Sequence, residues 1–263
     1  MRVVILESGI AVSERAADLI CQCVQSCDSP VLGLATGGTP LATYAELIRR
    51  YESGKVSFSK CTTFNLDEYV GLPEGHAESY RVFMQENLFA KADFEMESCH
   101  LPDGNETDLA ATCAAYEERI SRSGGIDLQL LGIGSDGHIA FNEPGSSLAS
   151  RTRPKALTEQ TRLDNARFFN SPEEVPRLAI TMGIGSILDA RKILLLATGE
   201  NKAAAVREMA EGPLSASCPA SALQLHANAT VLLDPAAASQ LKRSEYYKHV
   251  EKIQQELEQN SFR

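Results

Sequence analysis

The fold is decided by the stretch VLGLATGGTPLATYAELIRRY, which occupies residues 31–51. Its first residues, Val31 to Ala35, form a short apolar run of the length typical of a buried strand. A glycine-marked turn follows, and Pro40 stands where a helix would begin its first turn. The stretch is therefore predicted to be a β-strand that turns directly into an α-helix reaching about Tyr51, which is the repeating unit of parallel α/β folds.

The same alternation extends along the rest of the chain. A first strand lies in the N-terminal MRVVILESGI, and Ser13 is placed to cap a helix that reaches to about Cys27. Further strands are predicted at Cys61–Leu66, Ile126–Ile133, Arg177–Ile184, Lys192–Ala197 and Ala229–Leu233. Further helices are predicted at Ser79–Phe89, Thr107–Ser121, Asn201–Ala210 and Ser239–Gln259. This pattern predicts an α/β fold with a mostly parallel sheet and helices on both faces.

The composition is that of a folded, acidic protein. Its 263 residues are 43% hydrophobic, which is enough to bury a sizeable core. We predict a single domain over residues 1–263, with the irregular stretch at about 145–176 as a candidate lid or insertion. The formal net charge of -10 disfavours nucleic acid as a partner, because phosphate backbones require a basic face. A local pocket can still bind a small anionic substrate.

The N-terminus and the cysteines both indicate a cytoplasmic protein. MRVVILESGI is too short in its apolar part for a signal peptide, and no apolar run approaches the roughly 18 residues that span a bilayer. The tightest group of the seven cysteines, Cys21, Cys23 and Cys27, lacks the second ligand pair of a metal site. Cys23 and Cys27 fall on a helical stripe with apolar side chains, so we expect reduced, structural thiols.

Polar, glycine-marked segments follow four of the predicted strands. They are Thr36–Thr39, Asp67-Glu68, Gly134–His138 and Thr198–Lys202. Ligands of open α/β sheets bind at the carboxyl ends of the strands. We therefore expect these four segments to share one edge of the sheet and to form the functional site.

The turn Thr36-Gly37-Gly38-Thr39 is a candidate anion site. Its glycines allow backbone N–H groups to approach a ligand, and a helix N-terminus adds about half a positive charge. A tight βα turn without a ligand would have a similar sequence. The turn is neither a Walker loop nor a G-x-G-x-x-G fingerprint, which favours a single phosphate over a nucleotide. Lys202 and Arg167 are the candidate cations for that phosphate.

Asp67 and Glu68 supply candidate carboxylates at the end of a strand. A proton transfer between adjacent carbons needs one carboxylate held over the substrate, with its pKa set by burial. Asp67 comes first after the apolar run and is better placed than Glu68 for this role. A solvated turn is the alternative interpretation of the same pair.

The densest group of chemical side chains is Asp136, His138 and Glu143, which lie within eight residues on a glycine-containing loop. Carboxylates beside an imidazole select its tautomer and raise its basicity, so the group indicates an acid–base relay. A purely structural loop remains an alternative. Their spacing matches no metal site that we can assign, and no G-x-S-x-G nucleophile elbow occurs in the chain.

Several motifs together resemble the glucosamine-6-phosphate deaminase family. They occur in family order over residues 1 to about 235 and are Leu34–Pro40, Phe64–Pro73, Gly134–Pro144, Ser150–Arg153, Arg167–Phe169, Gly199–Ala203 and Leu223–His226. The resemblance implies a Rossmann-like α/β fold, no metal and no organic cofactor. It also implies a homo-oligomer, commonly a hexamer, that acts on a sugar phosphate.

The resemblance also implies roles for individual residues. The residue matching Asp67 moves a proton from C2 to C1 of the open-chain amino sugar, and the resulting imine is hydrolysed to fructose 6-phosphate and ammonia. The residue matching His138 assists ring opening, supported by those matching Asp136 and Glu143. The phosphate would bind to the turn at Thr36, Gly37, Gly38 and Thr39, with Arg167 and Lys202 as its cations.

Some members of this family are activated by N-acetylglucosamine 6-phosphate at subunit contacts. Ser146, Arg153 and Lys155 match parts of that allosteric site, whereas Ala156 stands where regulated members have a threonine. Three other functions remain open: a galactosamine-6-phosphate deaminase/isomerase, a 6-phosphogluconolactonase, and a sugar-phosphate-sensing domain of a transcription regulator. The last would need a helix-turn-helix and a basic face, and the sequence indicates neither.

Overall fold

The computed structural model describes residues 1–166, 169 and 171–260. The strands are β1 (Arg2–Ile5), β2 (Val31–Leu34), β3 (Thr62–Asn65), β4 (Asp67–Tyr69), β5 (Cys99–His100), β6 (Leu128–Leu131), β7 (Arg153–Ala156), β8 (Leu178–Thr181), β9 (Ile193–Ala197) and β10 (Ala229–Leu233). The α-helices are α1 (Gly9–Ser26), α2 (Leu41–Glu52), α3 (Tyr80–Asn87), α4 (Leu109–Arg122), α5 (Glu159–Asn165), α6 (Ile184–Leu188), α7 (Ala203–Glu211) and α8 (Ser244–Asn260).

A seven-stranded parallel sheet forms the centre of the molecule, in the order β1-β10-β9-β6-β2-β3-β5. The chain crosses this sheet in one direction from β1 through β5 and then returns through β6, β9 and β10. Because such crossovers are right-handed, α1, α2 and α3 cover one face, and α4 and α7 cover the other. All five residues of β9 are buried, as expected for a central strand covered on both sides. The predicted fold class is confirmed.

A second sheet of three antiparallel strands, in the order β4-β8-β7, stands beside the carboxyl edge of the first. The chain leaves the main sheet at Leu66, whose N–H donates to the Leu34 carbonyl at 3.1 Å, and enters β4 at Asp67. Asp67 is therefore the first residue of a new strand, not part of a turn. The predicted strand at Arg177–Ile184 exists as β8, but it belongs to this second sheet, because its partners are β4 and β7.

The start of α1 differs from the prediction. Ser8 caps this helix with extended backbone angles, and its hydroxyl accepts from the Ala11 N–H at 3.2 Å. Ser13 lies inside the helix instead and donates to the Gly9 carbonyl at 3.1 Å. All seven cysteines are free thiols, and burial above all raises the pKa of Cys23 to about 12.

The C-terminal helix α8 packs on β1 through an ion pair between Arg2 and Glu251 at 2.7 Å. The helix also carries four exposed apolar side chains at helical spacing, Tyr246, Val250, Ile253 and Leu257. Within the described part of the chain, no helix has the length and apolarity needed to cross a membrane.

Candidate functional site

The four polar segments predicted at strand ends do meet at one edge. Strands β9, β6, β2 and β3 are consecutive neighbours in the parallel sheet, so their carboxyl ends lie side by side. The segments at 36–39, 134–138 and 198–202 follow three of these strands, and Asp67 follows the fourth after one residue. Parallel pairing is thus what gathers residues from distant parts of the sequence into one site.

The turn between β2 and α2 is shaped to approach a ligand closely. Gly37 has a φ of 92°, which favours glycine, and a Cβ at Gly37 or Gly38 would meet no atom within 4 Å. The Tyr44 hydroxyl, one turn into α2, donates to the Ala35 carbonyl at 2.5 Å and fixes the helix against the strand end. The N-terminus of the twelve-residue helix α2 therefore points its positive end at this turn.

Asp67 is a buried carboxylate, with 6% of its surface exposed. Burial, and then the neighbouring charge of Glu68, raises the pKa of Asp67 to about 8. Tyr80 and Tyr116 lie close enough that, after burial itself, the negative charge of Asp67 contributes to raising the pKa of each phenol. Asp67 is consequently protonated or ionised near neutral pH according to its surroundings, which suits a group that accepts and returns a proton.

Glu68 has a different and structural position. Its Oε1 accepts from the N–H groups of Tyr69 at 2.9 Å and Tyr80 at 3.0 Å, and its Oε2 accepts from the Arg81 N–H at 2.9 Å. The bonds from Tyr80 and Arg81 satisfy two free N–H groups at the start of α3. The two adjacent carboxylates are thereby separated: Glu68 holds a helix end, and Asp67 alone is available to a substrate.

Tyr80 is a site residue that the sequence interpretation missed. Its hydroxyl interacts with the Thr36 side chain and lies 3.5 Å from the Tyr69 hydroxyl, with Asp67 nearby. It therefore connects the glycine turn to the buried carboxylate. The only signal in the sequence is its place directly after Ser79, the residue that caps α3.

Asp136 and His138 are paired on the loop that follows β6. The Asp136 Oδ1 lies 2.7 Å from the His138 Nδ1 and also accepts from the His138 backbone N–H at 3.1 Å. Partial burial acts to raise the pKa of Asp136, but the hydrogen bonds and charge of His138 outweigh it and lower that pKa below its ordinary value. Only glycine fits at position 134, because a Cβ there would overlap the His138 ring.

Glu143 does not join this pair directly. It is 2% exposed, and its Oε1 accepts from the Thr158 N–H at 3.1 Å and the Thr158 hydroxyl at 3.2 Å. Between the two groups Ala140 adopts a φ of 50°, which reverses the chain and turns Glu143 towards the start of α5. No hydrogen bond joins Glu143 to His138 among the described residues, so its influence on His138 stays a prediction.

The remaining predicted residues lie around this edge. Lys202 is partly buried at the end of the short 3-10 turn that precedes α7, whereas Arg167 lies outside the described residues. Ser146 is buried, and its N–H donates to the Glu143 carbonyl at 3.0 Å. Arg153 and Lys155 project from the same side of β7, since side chains alternate along a strand. The described residues contain no group of three or more His, Cys, Asp or Glu side chains that could hold a metal ion.

Residues 7–232 match the family described as glucosamine-6-phosphate isomerases/6-phosphogluconolactonase. The chain belongs to this family. A glucosamine-6-phosphate deaminase of Cellvibrio japonicus (strain Ueda107) is 54% identical over 257 residues, which is 98% of each chain. A second, from Shewanella woodyi (strain ATCC 51908 / MS32), is 53% identical over 98% of this chain and 97% of its own.

Solved structures of the glucosamine-6-phosphate isomerase/6-phosphogluconolactonase family agree with this fold. One, described as a monomeric glucosamine-6-phosphate deaminase, has a TM-score of 0.89 at 46% identity and covers 91% of this chain and 100% of its own. A 6-phosphogluconolactonase from Trypanosoma brucei has a TM-score of 0.72 at 20% identity, covering 91% of this chain and 98% of its own. The similarity to this lactonase shows a shared fold and nothing further. Family membership, expected from the motifs, is confirmed.

Proposed function

We propose that this chain is a glucosamine-6-phosphate deaminase, which converts glucosamine 6-phosphate and water into fructose 6-phosphate and ammonia. The observation that carries this proposal is Asp67, buried at the sheet edge that also holds the glycine turn and the Asp136–His138 pair. The relatives that are 53% and 54% identical over 98% of the chain carry the name of the same activity.

Asp67 is the proton carrier of the proposed reaction. Its carboxylate takes the proton from C2 of the open-chain sugar and returns it to C1. The same group must act as base and then as acid, and this requires a pKa close to the working pH. Burial supplies that condition, because it raises the pKa of Asp67 to about 8. The imine that follows is hydrolysed by water with release of ammonia.

The Asp136–His138 pair opens the sugar ring. Asp136 occupies the Nδ1 side of the imidazole at 2.7 Å, which leaves Nε2 for the substrate. An imidazole oriented in this way exchanges a proton with the ring oxygen and the anomeric hydroxyl. Glu143 supports the loop from its far end through Thr158.

The phosphate binds to the turn formed by Thr36, Gly37, Gly38 and Thr39. The support is the positive φ of Gly37, the free space above both glycines, and the start of α2 behind them. Lys202 and Arg167 are proposed as the two cations. A single phosphate anchored there holds the far end of the sugar while Asp67 and His138 act on C1 and C2.

A comparison of three substrates tests the proposal. Ammonia release should be fast with glucosamine 6-phosphate and much slower with galactosamine 6-phosphate, and 6-phosphogluconolactone should not be hydrolysed. Preference for the galacto epimer would assign the other deaminase activity. Lactone hydrolysis without ammonia release from either amino sugar would overturn the proposal.

The assembly and its control form a separate part of the proposal. We infer a cytoplasmic homohexamer that N-acetylglucosamine 6-phosphate activates through Ser146, Arg153 and Lys155. Support for an assembly comes from the exposed apolar stripe on α8, which a subunit contact would cover. Light scattering coupled to size-exclusion chromatography measures the mass directly, and a mass near the 28.5 kDa of one chain would show a monomer instead.

A further inference from the structure

Strand β8 lies between two strands that carry predicted site residues. Its Thr181 faces Asp67 of β4 on one side and Arg153 of β7 on the other. The next residue, Met182, donates its N–H to the Leu66 carbonyl at 2.7 Å, directly before Asp67. The backbone of Thr181 and Met182 therefore fixes the position of the buried carboxylate.

The loop that carries Asp136 and His138 rests on the same two residues. The Thr181 hydroxyl oxygen accepts from the Phe141 N–H at 3.1 Å, and the Asn142 side-chain amide donates to the Met182 carbonyl at 2.8 Å. Thr181 and Asn142 are both fully buried. These contacts join the end of the loop to β8 in a region that excludes water.

We propose that Thr181 is a positioning residue for the reaction: its hydroxyl fixes the loop bearing Asp136 and His138 at the correct distance from Asp67. The proposal rests on the proposed function, because that function assigns the proton transfer to Asp67 and the ring opening to His138. Backbone pairing with residue 181 holds Asp67, and the Thr181 hydroxyl holds the loop at Phe141 beside the bond from Asn142 to Met182, so Thr181 acts on both of the reacting groups.

The hydroxyl oxygen of Thr181 is the atom that holds the loop, because it accepts from the Phe141 N–H. Valine has nearly the shape of threonine but offers no oxygen, so Thr181→Val would leave the buried Phe141 N–H without a partner. The loop would then shift to satisfy that group, while the backbone pairing of residue 181 with Asp67 would persist. A misplacement of about 1 Å in a catalytic group can lower turnover about 100-fold.

The experiment compares three purified variants with the parent enzyme. Thr181→Val should lower kcat for glucosamine 6-phosphate by about 10- to 100-fold and change KM by less than about threefold, because the glycine turn is not altered. Thr181→Ser keeps the acceptor and should retain kcat within about threefold. Thr43→Val is the matched control, since Thr43 is fully buried on α2 and its hydroxyl has no partner among the described residues.

Thermal midpoints of all variants separate positioning from a loss of folded protein. The proposal is supported if Thr181→Val alone loses kcat while it remains folded at the assay temperature and Thr181→Ser restores turnover. It is overturned if Thr181→Val keeps more than half of the parent kcat, if Thr43→Val loses as much, or if Thr181→Ser is as slow as the valine variant. A parent enzyme that releases no ammonia would instead contradict the proposed function.

Discussion

Asp67 is expected to be a source of activity and a cost to stability at the same time. Replacing Asp67 with Asn keeps the shape of the side chain but removes the proton carrier, so turnover should fall by roughly 100-fold or more. The same change should stabilise the folded protein above neutral pH. The reason is that a buried carboxylate resists ionisation in the folded state but ionises freely in the unfolded chain.

The direction of this change in stability follows from the number of protons that the folded protein and the unfolded chain bind. The pKa of Asp67 is about 8 in the folded protein against 3.8 as the ordinary value, so between these limits the folded protein holds a proton that the unfolded chain has lost. Stability that is complete below about pH 4 is therefore lost as the pH rises through the folded pKa of about 8. Each unit of difference between the two pKa values corresponds to about 1.4 kcal/mol, so the ionisation of Asp67 can lower the free energy of unfolding by at most about 6 kcal/mol.

Replacing the carboxyl with the neutral amide of asparagine restores only part of this lost stability. Its N–H groups would be buried without assured acceptors, which costs about 1–3 kcal/mol. We therefore expect Asp67→Asn to be more stable than the parent by at most about 3–5 kcal/mol at pH 9, and less stable by about 1–3 kcal/mol at pH 4, where only the cost of the buried amide remains.

Urea denaturation between pH 4 and pH 9, measured beside ammonia release, provides the assay. Glu86→Gln is a suitable control, because it removes one carboxylate from the exposed surface of α3. Equal unfolding free energies for the parent and Asp67→Asn at pH 9 would refute the reasoning about burial. Normal turnover in that variant would refute the proton-carrier role.

The remaining predictions concern the other groups of the site. His138→Gln should slow deamination of the cyclic substrate more than that of an open-chain analogue, because its role is in ring opening; equal losses in steady-state assays would argue for a role in proton transfer. Lys202→Ala should raise KM for glucosamine 6-phosphate by about 10- to 100-fold with a smaller effect on kcat, and an unchanged KM would place the phosphate elsewhere. Arg153→Ala should abolish activation by N-acetylglucosamine 6-phosphate while leaving the maximal rate intact, as measured from substrate saturation curves with and without that effector. A parent enzyme with hyperbolic kinetics that ignore the effector would rule out this control.

Several local features could not be predicted because they depend on contacts distant in sequence. Ser8 and Ser13 are both able to cap a helix, and only the extended backbone at Ser8 decides between them. The Asp136–His138–Glu143 group looks like one unit in the sequence. A left-handed residue at Ala140 separates it, so that Glu143 bonds to Thr158 instead.

The sequence by itself determined the parallel sheet and the contents of its functional edge. Strand and helix patterns have different hydrophobic periods, and strands joined through a helix usually pair in parallel, with a right-handed crossover in nearly all cases. Because these units share one direction, the polar residues that end the strands had to meet, and their motifs were specific enough to indicate the family.

Only the tertiary structure decided which sheet β8 joins and how deeply Asp67 is buried. A strand of four residues, three of them apolar, can pair with parallel or antiparallel partners, and its choice depends on strands more than 20 residues away. The placement of β8 between β4 and β7 buries Asp67 beside Glu68. Burial is a property of the whole packed chain, and it is what moves the pKa of this carboxyl towards neutrality.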